Sequence, residues 1–452
     1  MEGEKVLAQT ASICPECFAR IPARRVARGD EVALEKTCPE HGAFHAVIWR
    51  GEPSYSSWEK PKIATHPGTP QTAVGRGCPW DCGLCPEHRQ QTCCTLLEVT
   101  QRCDLKCSFC FADAGSGSGG DPSMDDIRGM YDALLAAGGP FNVQLSGGEP
   151  ALRDDLPEII SLGIAMGFGF IQLNTNGLRL AREPFYAKRL REAGLACVFL
   201  QFDGLEDEIY EKLRGSSLCR EKELAVKHCI ENDLGVILVP TLVPGINIHQ
   251  IGPIINFAIE HIPGVRGVHF QPVSYFGRNP TGRPGDKHRI TIPEIIRGIE
   301  GQTRGRIKTE HFKPPGAENS FCSFHGNFVL MPDGDLKPWT LHESGKSCCK
   351  PEPAGEGSRR ARLFQAQFWT CCPKSPGSPT IGPSLGGWDV FLERTRTHSL
   401  CISGMAFQDA WNLDLERLRD CHLHVVHPDG RLIPFCAYNL TDAQGRSFYR
   451  GC

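Results

Sequence analysis

Between residues 95 and 290, short apolar runs alternate with stretches of helical periodicity, and that alternation restricts the chain to a small set of folds. The runs are Leu96–Val99, Phe141–Leu145, Ile171–Leu173, Cys197–Phe202, Val236–Val243 and Val268–Val273. Each is strand-length, and amphipathic segments lie between them. One such segment starts at Asp121–Pro122, carries Ile127, Met130 and Leu134 on one face, and stops at Gly138–Gly139. Strands that alternate with helices build right-handed βαβ units around a parallel sheet, so the expected fold class is α/β. In such sheets ligands gather at the carboxyl ends of the strands. Motifs that directly follow the runs therefore carry the most weight.

The flanks differ from this middle zone (95–290). Residues 1–94 are rich in Cys, Pro and Gly with short strand-like pieces such as Ala43–Trp49, and a segment of that kind needs metal in place of a large core. Residues 291–452 are mixed. The Pro-, Gly-, Ser- and Arg-rich stretch Pro351–Gly387 reads as loops. It is followed by a helical signal at Phe407–Leu418 and a hairpin joining His424–Val426 to Arg431–Ile433 through Pro428–Asp429–Gly430.

The chain carries 49 basic and 52 acidic side chains, so no overall field recruits nucleic acid or an anionic membrane. No apolar run reaches membrane-spanning length; the best, Leu162–Leu173, is short and broken by glycines. Met1–Ser12 lacks the basic start and apolar stretch of a secretory leader, which points to the cytoplasm. In that reduced compartment, 23 cysteines with many in C-x-x-C spacing favour thiolate–metal sites over disulfides.

The most informative motif follows the first run. Leu96–Thr100 leads into Cys103, Cys107 and Cys110 in C-x-x-x-C-x-x-C spacing. Three thiolates on one loop hold three corners of an iron–sulfur cubane and leave one iron open to a small chelating ligand. The plainer reading is a zinc knuckle completed by a remote fourth ligand. The second run ends in Ser146–Gly147–Gly148–Glu149–Pro150, where glycines admit close backbone approach and a carboxylate can pair with an ammonium group. A lone Gly-Gly-Glu is usually a turn, but at the end of the next strand it argues against the knuckle. Asn174, Asp203, Thr241 and Gln271 end later strands, while Asn176–Gly177 reads as a turn.

Other cysteines exceed what one cluster needs. Cys78, Cys82 and Cys85 repeat the spacing without a preceding strand and are assigned to an auxiliary iron–sulfur cluster closed by Cys93 or Cys94. Cys14, Cys17 and Cys38 look like the knuckles of a mononuclear iron or zinc site. Its fourth ligand is either His41 or a cysteine of the Cys78–Cys94 group, and His41 is equally readable as a solvated turn residue. Cys322, Cys421 and Cys436 are further metal candidates with a weak individual signal. The pairs Cys348–Cys349 and Cys371–Cys372, with Cys401 and Cys452, carry as little; Cys197, Cys219 and Cys229 read as small buried hydrophobes.

The cysteine triad and the Gly-Gly-Glu element together resemble the radical S-adenosylmethionine (SAM) superfamily. That resemblance implies a partial (β/α)6 barrel with an N-terminal Cys-rich metal domain and a C-terminal Cys-containing extension. It implies a [4Fe–4S] cluster on Cys103, Cys107 and Cys110 that cleaves SAM to a 5′-deoxyadenosyl radical. It places Phe109 near the adenine, Gly147, Gly148 and Glu149 at the methionine amino group, and Asn174 and Asp203 at the ribose or carboxylate. Cys14–Cys17, Gly77–His88, Ser403–Asn412 and Leu432–Asn439 are similar to a multi-cluster subgroup that includes archaeal tetraether lipid synthase and the bacterial (seleno)protein TrsS. The subgroup implies auxiliary [4Fe–4S] clusters and a mononuclear metal. The stretch Pro351–Gly387 has no lipid-binding signature, so lipid coupling is not carried over. The expected activity is hydrogen abstraction from an unactivated C–H bond of a small-molecule or lipid substrate, with C–C coupling among its outcomes and a flavodoxin- or ferredoxin-type electron donor. The alternatives are radical methylation or sulfur insertion, and a non-catalytic electron carrier or zinc protein.

Overall fold

The computed structural model describes residues 4–115, 120–340, 351–370 and 387–450. Cys348, Cys349, Cys371, Cys372 and Cys452 lie outside them.

The N-terminal segment is an antiparallel meander of β1 (Lys5–Ile13), β2 (Arg20–Arg28), β3 (Glu31–Cys38) and β4 (Gly42–Arg50). Ile21, Ala23 and Val26 on β2 and Val32, Ala33 and Leu34 on β3 are buried. The meander docks on the C-terminal part of the chain through buried polar contacts. Lys36 Nζ donates to Ser12 Oγ (2.9 Å) and to the Ala410 carbonyl (2.7 Å), and Arg25 Nε donates to Asp414 Oδ2 (2.7 Å).

The six expected runs form the parallel strands β5 (Cys94–Thr100), β6 (Asn142–Gly147), β7 (Ile171–Thr175), β8 (Cys197–Gln201), β9 (Gly235–Val239) and, after the two-residue β10 (Thr241–Leu242), β11 (Val265–Pro272). This is a partial (β/α)6 barrel. Outward residues such as Leu97, Leu145, Leu173, Val198 and Leu238 pack on Ile127, Leu134, Ile160, Leu190 and Ile255 of the surrounding helices, all fully buried. Burial of each is worth about 2 kcal/mol. The first helix, Met124–Ala136, begins at Ser123, whose hydroxyl caps the Asp126 amide while Asp126 returns the bond, two residues later than the Asp121–Pro122 start read from the sequence.

The C-terminal region extends the same sheet on both edges. On one side β14 (Ser399–Met405) pairs parallel with β11, followed by β12 (Ser323–Leu330) and β13 (Leu336–Pro338), both antiparallel additions. On the other side β15 (Leu423–Val426) pairs parallel with β5 and forms the expected hairpin with β16 (Leu432–Pro434).

Two expectations need correction. The stretch Pro351–Gly387 contains a helix, Ala354–Phe368, where loops were expected. Its Ala, Arg, Gln and Leu residues are good helix formers, and its glycines serve close packing: a Cβ at Gly357 would stand 2.0 Å from the Gly316 carbonyl oxygen. The helix lies across the amino ends of the strands, where Gln365 Oε1 accepts from the Asn142 side chain (2.7 Å) and Arg266 Nε donates to the Phe368 carbonyl (2.9 Å). The helical signal at Phe407–Leu418 shrinks to Leu415–Arg419. Asp409 Oδ1 accepts from the Trp411 and Asn412 amides and holds that segment as a turn, and Asp414 then caps the short helix. Among the described residues no helix is long and apolar enough to cross a membrane.

Candidate active site

At the carboxyl ends of the strands one cavity is lined by Cys103, Cys107 and Cys110 together with Gly147, Gly148 and Glu149. The two motifs are joined by their backbones. The Gly148 amide donates to the Thr100 carbonyl and the Glu149 amide to the Arg102 carbonyl, both at 2.8 Å. Only glycine fits that seam: a Cβ at Gly147 (φ +135°) or at Gly148 would lie 2.1 Å from Thr100 O or Arg102 O. The far end of the cysteine loop is clamped by Gly277 and Arg278. The Cys110 and Arg278 amides and carbonyls pair at 2.9 and 3.0 Å, and Arg278 Nε donates to the Cys107 carbonyl (2.9 Å). The sequence reading missed this clamp, whose one signal was a glycine just beyond the sixth strand.

Glu149 is 2 % exposed. Its oxygens accept from the Ala151 amide (2.9 Å), Thr175 Oγ1 (2.7 Å) and the Asn176 amide (2.6 Å). A carboxylate has about four lone-pair positions, so one more donor can be taken from the cavity. Burial outweighs these bonds and lifts Glu149 to about 7. Phe109 and Asn174 line the same cavity, and Asn174 Oδ1 is buried without a partner.

Asp203, expected at the SAM ribose or carboxylate, does not line the cavity. It is fully buried and grips Arg214 in a two-pronged ion pair (2.7 and 2.8 Å) while accepting from the Thr241 amide (3.0 Å). The guanidinium of Arg214 lines the cavity in its place, donates to the Phe109 carbonyl (3.4 Å) and sets its charge near Cys107. Burial pushes the Cys103 thiol up to about 12, so a metal taken up there would have to displace its proton.

Three other cysteine groups form. Cys14, Cys17, Cys38 and His41 bring their ligand atoms within 4.8 Å of one another, with His41 Nδ1 3.7 Å from Cys14 Sγ and 3.5 Å from Cys38 Sγ. His41 thus takes the fourth position that the sequence left between it and a later cysteine. Among the described residues this is the one set so tight. It suits a single ion, whereas a cubane, being larger, needs its ligands further apart. Cys78, Cys82 and Cys85 are buried on one loop, with Asp81 holding the amides of Gly75, Arg76 and Gly77 at 2.6–2.7 Å. Cys93 stands apart from this loop: its electrostatic neighbours are Cys94, Glu318 and Arg362. Cys322, Cys421 and Cys436, distant in sequence, line a second small cavity with Glu318, Arg417 and His422. Arg417 Nε and Nη2 lie 3.4 Å from Cys322 Sγ, a contact no local spacing announced. Phe407, Leu423 and Phe435 wall both this cavity and the first.

Comparison with known proteins agrees with this geometry. The Radical SAM superfamily pattern matches residues 97–258, and that of the HMPTM N-terminal zinc ribbon domain matches residues 6–50. The 7,8-dihydro-6-hydroxymethylpterin dimethyltransferase of Methanocaldococcus jannaschii is 35% identical over 484 aligned positions, covering 96% of this chain and 94% of that protein. A probable GTP 3′,8-cyclase of Methanococcus maripaludis is 32% identical over 55% of this chain and 84% of its own length. The crystal structure of Streptococcus suis SuiB superimposes with a TM-score of 0.38 at 20% identity, covering 47% of this chain and 46% of that one. A parallel partial barrel with three cysteines and a Gly-Gly-Glu turn at its mouth defines a SAM-binding iron–sulfur enzyme. The chain belongs to the radical SAM superfamily, whose members use a [4Fe–4S] cluster, SAM and a reductant.

Proposed function

We propose that this enzyme installs methyl groups on a reduced pterin or a closely similar heterocycle: the hydrogen of an unactivated C–H bond leaves as the third 5′-hydrogen of 5′-deoxyadenosine, and a second SAM gives the carbon its methyl group, with both electrons drawn from the external donor. The observation that carries the reading is the shared cavity, in which the Gly-Gly-Glu backbone is hydrogen-bonded to the loop bearing Cys103, Cys107 and Cys110. The full-length likeness to a pterin dimethyltransferase favours methylation over coupling or sulfur insertion. When bound, the cluster supplies the electron that breaks the S–C5′ bond of SAM and yields the 5′-deoxyadenosyl radical.

The chain's own residues do the rest. Cys103, Cys107 and Cys110 would hold the cluster at the wall of the cavity. Glu149 takes the SAM ammonium at its remaining lone pair, Asn174 Oδ1 accepts from the ribose, and Phe109 covers the adenine. Asp203 works through Arg214, whose positive charge near Cys107 would draw electron density from that thiolate. Aromatic side chains at the mouth exclude water that would quench a radical. In functional terms residues 1–94 form a metal domain, 95–290 the catalytic barrel, and 291–452 a substrate-capping region.

Cys78, Cys82 and Cys85, and separately Cys322, Cys421 and Cys436, are assigned to auxiliary clusters. The second group lines a cavity that shares the wall of Phe407, Leu423 and Phe435 with the active-site cavity. Three cysteines and one histidine on a ribbon favour zinc at the N-terminal site. A flavodoxin- or ferredoxin-type donor in the cytoplasm supplies the electrons.

The test is anaerobic reconstitution with iron, sulfide, SAM and dithionite, followed by assay of 5′-deoxyadenosine and of methylated pterin. Cys107→Ala should abolish SAM cleavage, whereas Cys82→Ala should retain it. A wild-type enzyme that cleaves SAM yet leaves the mass of 7,8-dihydro-6-hydroxymethylpterin unchanged refutes the substrate assignment.

A further inference from the structure

The cavity holds two amides that the SAM machinery does not use. Gln144 on β6 is 7 % exposed, and Gln271 stands late on β11; both line the cavity, and neither side chain has a hydrogen-bond partner in the described structure. Behind them Gln172, in register with Gln144 on the neighbouring strand, leaves its Oε1 buried and unpaired. A buried polar group without a partner costs roughly 1–3 kcal/mol, and native proteins keep few of them without reason. Each amide offers one acceptor oxygen and two N–H donors. The same cavity is flanked by Phe407 and Phe435, whose ring centroids stand 4.4 Å apart, and by Phe111 and Phe276, which pack on Phe435.

Charge narrows the ligand further. Among the described residues, the ionic side chains on the cavity wall are Glu149, engaged by Thr175 and two amides, and Arg214, neutralised by buried Asp203. No uncommitted cation there meets a phosphate chain.

We infer that Gln144 and Gln271 are specificity-determining residues that read the lactam edge of a planar, uncharged heterocycle seated against the Phe407–Phe435 wall. The inference rests on the methylation reading above and adds how the ring is recognised. Pterins and guanine share the alternating N–H and C=O edge that a carboxamide matches, but a nucleoside triphosphate also brings charge that this wall does not accept.

The test is anaerobic equilibrium binding to the full-length, reconstituted protein with three probes: 7,8-dihydro-6-hydroxymethylpterin, guanosine and GTP. The pterin should bind most tightly and GTP most weakly. Gln144→Met and Gln271→Met should each weaken pterin binding by about tenfold or more, the loss expected for one buried hydrogen-bonded edge. Both should keep the wild-type rate of uncoupled 5′-deoxyadenosine formation. Gln144→Glu preserves shape while exchanging N–H donors for acceptors, and its binding loss at an unchanged melting temperature separates recognition from folding. GTP binding tighter than the pterin, or pterin binding unaltered in all three variants, overturns the inference. Wild-type protein that cleaves SAM but binds no lactam ring overturns it too, and leaves the radical chemistry standing. Failure of the wild type to cleave SAM strikes the parent reading instead.

Discussion

Gly148→Ala is the sharpest single perturbation of the site. The added Cβ would stand 2.1 Å from Arg102 O, 2.7 Å from Arg102 C and 3.0 Å from Gln101 O, all backbone atoms that no rotamer change can clear. To reach a tolerable contact the seam must open by roughly 1 Å. The segment displaced immediately precedes Cys103, and the same opening stretches the Gly148–Thr100 and Glu149–Arg102 hydrogen bonds. Losing two such bonds costs about 2 kcal/mol of stability. A 1 Å shift of Cys103 against Glu149 costs on the order of 100-fold in SAM cleavage. The assay is 5′-deoxyadenosine formation per bound iron, with thermal unfolding alongside. Gly129→Ala is the control, since its Cβ meets nothing within 4 Å on an exposed helical turn and should gain up to about 1 kcal/mol. If Gly148→Ala binds the wild-type complement of iron and cleaves SAM at the wild-type rate, the backbone seam does not couple the two motifs.

Three further outcomes are expected. Asp203→Asn strands the buried Arg214 guanidinium and should lower unfolding stability by roughly 3–5 kcal/mol in chemical denaturation, while a change under about 1 kcal/mol would show that the pair is dispensable. Burial holds His88 (4 % exposed) down at about 4 and also pushes fully buried His424 well below the usual histidine range. The unfolded chain therefore takes up protons that the folded chain refuses, so stability falls as pH drops from about 6.5 toward 4, by up to about 3 kcal/mol for His88 alone; urea titrations across that window check the slope, which should flatten in His88→Phe. His41→Ala should release the tightly held N-terminal zinc equivalent, read by metal analysis, while 5′-deoxyadenosine formation persists.

What was legible in the sequence was what is local in space. The six barrel strands announced themselves by apolar period, and the Cys103–Cys110 and Gly147–Glu149 motifs by spacing, because each is built within a single loop. Features made by long-range convergence were not legible. Cys322, Cys421 and Cys436 meet only because β12, β15 and the segment after β16 close on one another, and Arg417 reaches Cys322 from a helix that no cysteine spacing marks. Asp203 was legible as a residue just past a strand end, but nothing local shows that Arg214 claims both its oxygens. The helix Ala354–Phe368 was hidden by glycines that read as breakers but serve close packing.

The outer edge of β5 is completed by β15, where Cys94 pairs with Leu423. During synthesis that edge stays bare until β15, more than three hundred residues further along, has left the ribosome. Pairings so remote in sequence form late. The order of maturation follows: the ribbon at the front can take its ion early, but iron and sulfide delivered before the tail arrives would meet a half-walled trough open to solvent and oxygen. Loss of the β15–β16 hairpin would therefore cost far more than a cap, since it bares one edge of the strand that leads into Cys103, Cys107 and Cys110.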